Sequence, residues 1–539
     1  MKYFLALLLF AGALSVRADD LDFTALRYLT VYKDVRKKPL DTVALETVRK
    51  LTGRSTWTDP ATGQKLAAMD VLLSMWLETR EWSDTPVILV TYEPLKQQLG
   101  LALDQKLFTY KQIATPKFEE ILQQAQAKER RNAELNRDDR EARQVMQRLD
   151  TLGEVVGAET LLVVPPATTK DKWQPISHTG EYYGDAVQTA LTKTFKDFAG
   201  AYIERNPGAF SLAAQDLVKQ LRALNPAIFP PVKTLQREVE FNALHPFRKA
   251  WLLYALAALV TLATWRMRGT YWIGFGAFIA GMLMHAYAFY LRMLISGRPP
   301  VTNMYESVVW VSFSAALFAV ILEAVYRQRY YIVGVAPLSV VMLILADQFP
   351  AVLDPSIGPL MPVLRDNFWL TVHVPTITAG YAAFVVALGI GHIALGYYLF
   401  APGDRERIRQ LEKFIYRAMQ IGVLCIAAGT ILGGIWAHYA WGRFWGWDPK
   451  EVWALITLLC YLVPLHGRLS GWLSNFALTI ASVVCFLPVL MAWYGVNFIL
   501  GTGKHSYGFG VGGFSYALTF VAFELTLVAV ALFRRKQQA

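Results

Sequence analysis

The sequence contains few of the cysteines on which disulfide-stabilised or redox-active exported proteins depend. Its 539 residues include only Cys425, Cys460 and Cys485, and all three lie in apolar runs. No Cys-x-x-Cys spacing occurs, which excludes a dithiol carrier and a chain that attaches haem covalently to itself. The first 245 residues contain no cysteine, so a domain in that region cannot rely on disulfides.

Charged residues are also scarce, at 18% of the chain, whereas 54% of the residues are hydrophobic and 13% are aromatic, with 16 tryptophans. This composition excludes an ordinary soluble protein and is typical of an integral membrane protein with interfacial aromatics. The net charge of +11 is compatible with nucleic acid or anionic lipid as a partner. We attribute it instead to basic residues at the inner ends of membrane spans, and we expect no nucleic-acid partner.

The first 18 residues have the pattern of a secretory signal peptide. Lys2 gives a short basic start, residues 4–14 form an apolar core, and Val16-Arg17-Ala18 resembles a small-residue cleavage site. An uncleaved anchor is the alternative interpretation. Under either interpretation, Asp19 and the residues that follow it leave the cytoplasm.

The remaining chain divides by composition at about residue 245. Residues 19–245 are polar and predict an extracytoplasmic domain of mixed α/β fold, whose role the sequence does not reveal. Residues 246–539 contain apolar runs of the roughly 20 residues that cross a bilayer. The predicted fold class is therefore an α-helical polytopic membrane protein with an N-terminal extracytoplasmic domain. We predict nine spans, at roughly 249–265, 271–293, 305–325, 331–347, 373–400, 414–436, 452–468, 472–497 and 514–533.

Basic residues predict the orientation of these spans. If the N-terminal domain is exported, the first span runs inward and the even-numbered gaps face outward. The inward ends carry Arg266, Arg268, Arg327, Arg329, Arg405, Arg407, Arg409, Lys413, Arg468, Arg534, Arg535 and Lys536. This distribution follows the positive-inside rule. It predicts a multi-pass protein of the inner (cytoplasmic) membrane, with the lipid bilayer around it and a cytoplasmic C-terminus.

The third outward gap is rich in aromatic residues. We call residues 436–453 the tryptophan-rich segment; they contain Trp436, Trp441, Trp445, Trp447 and Trp453 together with Tyr439 and Phe444. Interleaved glycines such as Gly442 allow flat rings to approach a ligand, and indoles offer apolar faces with one N–H donor each. The segment predicts a binding platform for a planar, amphipathic molecule. A heavy interfacial aromatic belt is the alternative.

Two histidines lie at the same predicted depth as this segment. His373 begins the fifth span, and His505 lies in the last outward gap. Neutral imidazole is the common axial ligand of haem iron, so the pair predicts a bis-His site for haem b. His438, inside the segment, is a third candidate. Two other histidines lie nearer the inner face, His466 at the end of the seventh span and His392 late in the fifth, and His285 lies past the middle of the second.

Several separated motifs resemble one family. The run from Trp441 through Trp445, Trp447 and Asp448 to Glu451 resembles the WWD signature of the haem-handling superfamily. The continuation to Leu465-His466-Gly467-Arg468 resembles the CcsA (ResC) branch, the synthase subunit of the system II pathway of cytochrome c biogenesis. Asn303-Met304-Tyr305-Glu306-Ser307, His373 and the Gly-Lys-His505-Ser-Tyr run match further landmarks of that family in order. The resemblance covers about residues 275–535.

The resemblance implies a function and a set of roles. It implies a holocytochrome c synthase (haem lyase) that attaches haem to the CxxCH segment of apocytochrome c, with His373 and His505 ligating haem beside the WWD segment. It implies that His466 receives haem at an inner site, whose second ligand comes from a CcsB (ResB) membrane subunit. His392 and His285 are other candidates for that ligand. Arg292 and Arg298 are candidate contacts for haem propionates, since guanidinium pairs well with carboxylates.

Three other functions stay open at this stage. A haem exporter or chaperone would share the WWD segment without ligase activity. A transmembrane b-haem electron carrier would have two closed bis-His sites across the bilayer. A purely structural assembly partner would bind no haem.

Overall fold

The computed structural model describes residues 21–131, 135–350, 352–501, 503–505 and 513–538, so the predicted signal peptide at residues 1–18 lies outside the described residues. The chain divides into two compact units. One contains the residues up to 88, then 107–112 and 148–239; the other contains 89–106, 113–147 and 240–539. The second unit therefore takes two pieces of the polar N-terminal region as well as the apolar half.

The first unit is mainly helical, with a small amount of β-structure. Two antiparallel hairpins pair Thr30–Lys33 with Arg36–Pro39 and Thr56–Thr58 with Lys65–Ala67. The longer helices are Leu40–Thr52, Ala68–Trp76, Asp185–Ile203, Pro207–Leu224 and Val232–Leu244, the last of which runs to the edge of the unit. Short elements are the helices Thr24–Arg27, Tyr110–Ile113 and Gly180–Tyr183 and the two-residue strands Ile88–Leu89 and Leu107–Phe108. The predicted mixed α/β character is thus present, on a small scale.

The second unit has three helices from the polar region. They are Glu93–Leu99, Pro116–Arg130 and Arg137–Gly153, whose C-terminal end passes into the first unit. The hydroxyl of Thr115 accepts a hydrogen bond from the backbone N–H of Phe118 and so caps the second helix. Lys128 and Asp139 join the second and third helices through an ion pair of 2.7 Å.

Within the described residues, nine helical segments are long and apolar enough to cross a membrane. This confirms the predicted number of spans and identifies an integral membrane protein. We number them spans one to nine: Pro246–Ala263, Tyr271–Ser296, Met304–Tyr326, Tyr330–Gln348, Asn367–Phe400, Arg405–Trp441, Pro449–Leu469, Asn475–Leu500 and Phe514–Gln538.

Three spans begin at one end of the bundle with a side chain that caps the helix. The side chains of Asn303, Asp366 and Asp448 accept backbone N–H groups at the starts of spans three, five and seven. Each cap satisfies donors that the first turn of a helix leaves without an intrahelical partner. The caps therefore fix where three neighbouring segments enter the bundle.

Span eight is not a uniform helix. It consists of Asn475–Val484, Phe486–Leu490 and a π-helical stretch, Met491–Leu500, that ends at Gly501 with a left-handed φ of +63°. π-Helical turns widen the backbone and occur often at functional sites. The stretch lies at the same end of the bundle as the three caps, because span eight runs antiparallel to span seven.

Candidate functional site

A cavity of about 170 Å³ lies at the capped end of the bundle, where spans three, five and seven begin and spans six and eight end. Apolar residues make most of its wall, and a few polar groups converge on it. The lining residues that bear on its chemistry are His373, Trp436, Trp445, Lys450, Asn497 and His505. Apolar clefts with a few converging polar groups are typical of small-molecule and cofactor sites. We call it the histidine cavity.

His373 lies on span five and is held by span six. Its Nδ1 donates a hydrogen bond of 2.9 Å to the carbonyl oxygen of Gly429. Its ring meets Trp436 edge-on, with 5.7 Å between the ring centroids. A hydrogen bond at Nδ1 leaves Nε2 without its proton and available to a metal, which is the usual arrangement of ligating histidines.

His505 is held in the same way by a carboxylate. Its Nδ1 donates a hydrogen bond of 2.9 Å to Oδ1 of Asp448. Its ring stands at 88° to the ring of Trp441, with the centroids 4.8 Å apart. Both histidines that the sequence singles out therefore line one cavity, and each has its Nδ1 engaged by the protein.

Asp448 joins the tryptophan-rich segment to the segment that carries His505. Only 6% of the residue is exposed, and its carboxylate also accepts the backbone N–H groups of Lys450 and Lys504. Burial of Asp448 favours the neutral carboxyl, but the hydrogen bonds that the carboxylate accepts and its attraction to His505 outweigh burial and lower the pKa of Asp448. The carboxylate therefore stays ionised and fixes both segments.

The tryptophans of the segment have different positions. Trp445 lines the cavity, whereas Trp441 lies against the ring of His505 and Trp447 is 70% exposed. Gly442 ends span six with a φ of +71°, and Trp447 has a left-handed φ of +57°. A non-glycine residue in that region stores backbone strain, which is typical of loops held for function. Glu451 holds the loop by accepting from Arg443 and from the backbone N–H of Gly446.

The Asn303–Ser307 motif contributes Asn303, Met304 and Ser307 to the lining of the cavity. Asn303 lines the cavity and caps span three. Tyr305 and Glu306 do not line it. The carboxylate of Glu306 instead forms a 2.7 Å ion pair with Arg292 that is almost wholly buried.

Neither arginine predicted to contact propionates lines the cavity. The guanidinium of Arg292 is shared between Glu306 and the carbonyl of Pro355, and Arg298 donates to the carbonyl of Gly358.

The remaining histidines lie elsewhere. His438 is exposed and does not line the cavity. His466 is exposed at the opposite end of span seven, with Nδ1 donating to the carbonyl of Leu462. Nε2 of His392 lies 2.8 Å from Oε2 of Glu524 on span nine. His285 is fully buried among aromatic rings and lies 3.3 Å from the hydroxyl of Tyr254. A second ligand for His466 stays a prediction.

The sequence patterns did not predict that two polar residues, Lys450 and Asn497, line the cavity. Lys450 was part of the WWD continuation, and Asn497 lay inside an apolar run. Asn497 is 8% exposed; its Nδ2 donates to the carbonyl of Trp493, and its Oδ1 has no hydrogen-bond partner in the described part of the chain. A polar residue within a span marks a candidate functional position, but a hydropathy value averaged over the whole span does not reveal it.

The donor set of the cavity is compatible with haem. The two imidazoles could supply axial ligands, and the indoles could supply flat apolar walls. Within the described residues, no cluster of three or more His, Cys, Asp or Glu side chains that could hold a metal ion on its own is present.

The membrane region of the chain resembles known proteins. Residues 301–502 match the family described as Cytochrome C assembly protein. The chain is 33% identical to the cytochrome c biogenesis protein CcsA of Parasynechococcus marenigrum over 253 residues, 41% of this chain and 82% of that protein. It is 28% identical to CcsA of Guillardia theta over 273 residues, 45% of this chain and 88% of that protein.

A longer similarity includes the polar N-terminal region. The chain is 28% identical over 503 residues to the protein NrfI of Wolinella succinogenes. The alignment takes in 88% of this chain but spans only 53% of the length of NrfI.

Proposed function

The chain belongs to the CcsA family of cytochrome c biogenesis proteins and acts in cytochrome c maturation, and from this premise we propose that it binds haem b in the histidine cavity and positions it for attachment to apocytochrome c. In this proposal His373 and His505 are the axial ligands, and the cavity faces the outside of the cell. The enzyme is then a holocytochrome c synthase, or haem lyase.

One observation carries the proposal more than any other. Two histidines from separate parts of the chain line the same cavity, and a hydrogen bond at Nδ1 orients each of them. Interfacial histidines without a shared ligand would have no need of a common cavity or of matched tautomers. The arrangement supports a six-coordinate haem.

The proposed reaction needs orientation more than it needs a nucleophile. Each thiol of a CxxCH segment adds across a haem vinyl group: the sulfur bonds to one vinyl carbon, and a proton goes to the other. Both thiols come from the apocytochrome, so the site requires no catalytic triad. Correct placement of two reactants can supply up to ~7–11 kcal/mol of a barrier.

The chain's own residues would perform this placement. His373 and His505 would fix the plane of the haem, and Trp436 and Trp445 would pack against it and exclude water. The exposed Trp447 and Tyr439 leave apolar surface at the segment where a peptide would approach. The histidine of CxxCH would then replace one axial ligand, which loosens the product for release.

We also propose a second haem site, at His466 near the inner face of the membrane. The side chain of His466 is exposed, and its Nδ1 donates a hydrogen bond to the carbonyl of Leu462. Its Nε2 could therefore bind a haem iron that also has a ligand from another chain. A CcsB-type membrane subunit is the proposed source of the second ligand. The engagement of Nε2 of His392 by Glu524 makes His392 a less direct candidate.

A reporter assay tests the proposal. A host without its own cytochrome c maturation system would express this chain, a CcsB-type partner and an exported apocytochrome with one CxxCH segment. We expect covalent haem staining of the reporter with the wild-type chain and its loss with His373→Ala or His505→Ala. Export of haem without covalent product would favour the exporter over the lyase and would contradict the proposal.

A further inference from the structure

The histidine cavity is lined by a lysine, Lys450, for which the described residues supply no ion pair. We propose that Lys450 is the anion receptor of this cavity and binds a carboxylate of the ligand; on the proposed function above, that carboxylate is a haem propionate. The assignment adds a specificity-determining contact to the two axial histidines.

The position of Lys450 is fixed by the start of span seven. It follows Asp448 and Pro449 directly, and its backbone N–H donates to the Asp448 carboxylate at 3.0 Å. Its side chain is partly buried and lines the cavity together with His373, Trp445 and His505. Among the described residues its Nζ has no hydrogen bond and no ion pair, and the Asp448 carboxylate attracts it only electrostatically, without a hydrogen bond.

The acidic groups nearest to Lys450 in the chain are already engaged. Asp448 accepts from the ring of His505 and from the backbone N–H of Lys504, in addition to Lys450 N–H. Glu451 pairs with Arg443 at 3.0 Å and accepts the N–H groups of Gly446 and Asp448. Glu451 also lines the cavity, but both of its carboxylate oxygens already accept hydrogen bonds from these groups. The ammonium of Lys450 therefore keeps its hydrogen-bond donors for a ligand carboxylate.

An uncompensated ammonium in a largely apolar cavity is costly, because it loses hydration without gaining an ion pair. An anionic ligand removes that cost and gains charge-assisted hydrogen bonds. The ammonium of lysine acts as a compact point charge with rotatable donors, so it can follow either oxygen of a flexible carboxylate. A macrocycle with carboxylate arms is therefore preferred over its uncharged ester.

Three arginines near this end of the bundle do not line the cavity. Arg292 is paired with Glu306 in a buried ion pair, and Arg298 donates to the carbonyl of Gly358. Arg365 is exposed and does not line the cavity, although its neighbour Leu364 does. Arg365 is therefore a matched control, since its replacement removes a positive charge next to the cavity without changing a residue that lines it.

The experiment compares haem with haem dimethyl ester, whose propionates are capped while its iron and vinyl groups are unchanged. Purified full-length protein, freed of haem, would be titrated with each compound and followed by absorbance, for the wild type, Lys450→Met, Lys450→Arg and Arg365→Met. We expect the wild type and Arg365→Met to prefer haem over the ester by about tenfold or more. We expect Lys450→Met to lose that preference and Lys450→Arg to keep most of it.

The outcomes separate this inference from the proposed function. If Lys450→Met weakens haem and ester equally, or if the wild type binds both equally, the carboxylate contact is overturned and haem binding stands. If the wild type binds neither compound, the proposed function fails and this inference fails with it. Lys450→Arg keeps the charge, so equal losses in Lys450→Arg and Lys450→Met would identify a structural role and overturn the inference.

Discussion

Asp448 links the two parts of the site through one carboxylate. It caps span seven, holds the backbone of Lys504 and orients the ring of His505. A carboxylate that binds the Nδ1–H of a ligating histidine fixes its tautomer and raises its basicity. In the proposed site, Asp448 therefore acts as a positioning residue for His505, and it does not itself line the cavity.

The first prediction concerns this carboxylate. Asp448→Ala removes the acceptor of the His505 Nδ1–H, and Asp448→Asn keeps an acceptor but loses the charge. Hydrogen bonds to charged groups contribute about 1.5–3 kcal/mol. We therefore expect Asp448→Ala to weaken haem binding by about tenfold or more, and Asp448→Asn to weaken it less, in a titration followed by absorbance.

The pH dependence of this contact follows from the direction of the shift. The folded protein lowers the pKa of Asp448 below its usual value of 3.8. The ionised carboxylate therefore makes its full contribution to folding stability at any pH above that value. This contribution is lost only as the pH falls through the lowered pKa. The difference in melting temperature between the wild type and Asp448→Ala should therefore not become smaller from pH 8 to pH 5; a difference that shrinks within this range would contradict the assignment.

The sequence predicts that His373 and His505 share a site because both lie at the depth of the tryptophan-rich segment, and the structure places both in the lining of one cavity; their role as axial ligands stays a prediction. Sequence reasoning could not identify Lys450 or Asn497 as cavity residues, since their orientation depends on how spans seven and eight pack. It assigned Arg292 and Arg298 by depth and charge alone. The structure gives Arg292 a buried partner from the next span, Glu306, which no spacing in the sequence reveals.

At the scale of the helix, the approach of spans five and six positions His373. Gly429 and Gly433 lie four residues apart on span six, in the small-xxx-small pattern that lets membrane helices pack closely. The carbonyl of Gly429 accepts from His373, and a Cβ at Gly433 would lie 2.6 Å from Cε1 of the same ring. The two glycines of span six thus leave space for the imidazole ring of His373.

The second prediction follows from that close contact. Gly433→Ala forces the imidazole of His373 to shift and weakens its hydrogen bond to Gly429, so we expect weaker haem binding and an absorption spectrum of weaker axial ligation. Overpacking of this kind costs about 1–3 kcal/mol, which a thermal melt would also register. Gly396→Ala on span five meets no atom within 4 Å and is the control. Equal haem spectra for the two variants would contradict this role of span six.

The spans were predictable because an apolar run of sufficient length leaves few alternatives in a membrane. Their ends were less so. Span six begins at Arg405 and ends at Trp441, whereas the apolar run alone suggested 414–436. Polar first and last turns continue a helix beyond its apolar stretch, here with Asp404 as a cap. The π-helical end of span eight had no signal in the sequence, because its extra residue per turn leaves the hydropathy unchanged.

At the scale of the whole molecule, composition separated a polar N-terminal region from an apolar membrane region. The structure also divides into two compact units, but residues 89–106 and 113–147 belong to the unit that contains the spans. Contacts between distant segments decide such a division, and composition along the chain does not record them. The placement of residues 19–245 outside the cell, the cleavage of residues 1–18 and the cytoplasmic C-terminus stay predictions.

The measurement that tests the central claim most directly is the absorption spectrum of the purified protein. It compares the wild type with His373→Ala, His505→Ala and the control His438→Ala, which replaces an exposed histidine outside the cavity. We predict a reduced low-spin haem spectrum that is weakened, or shifted to high spin, by either cavity substitution and is unchanged by the control. Haem bound equally well by all four proteins would contradict the account, because the iron would then have its ligands elsewhere.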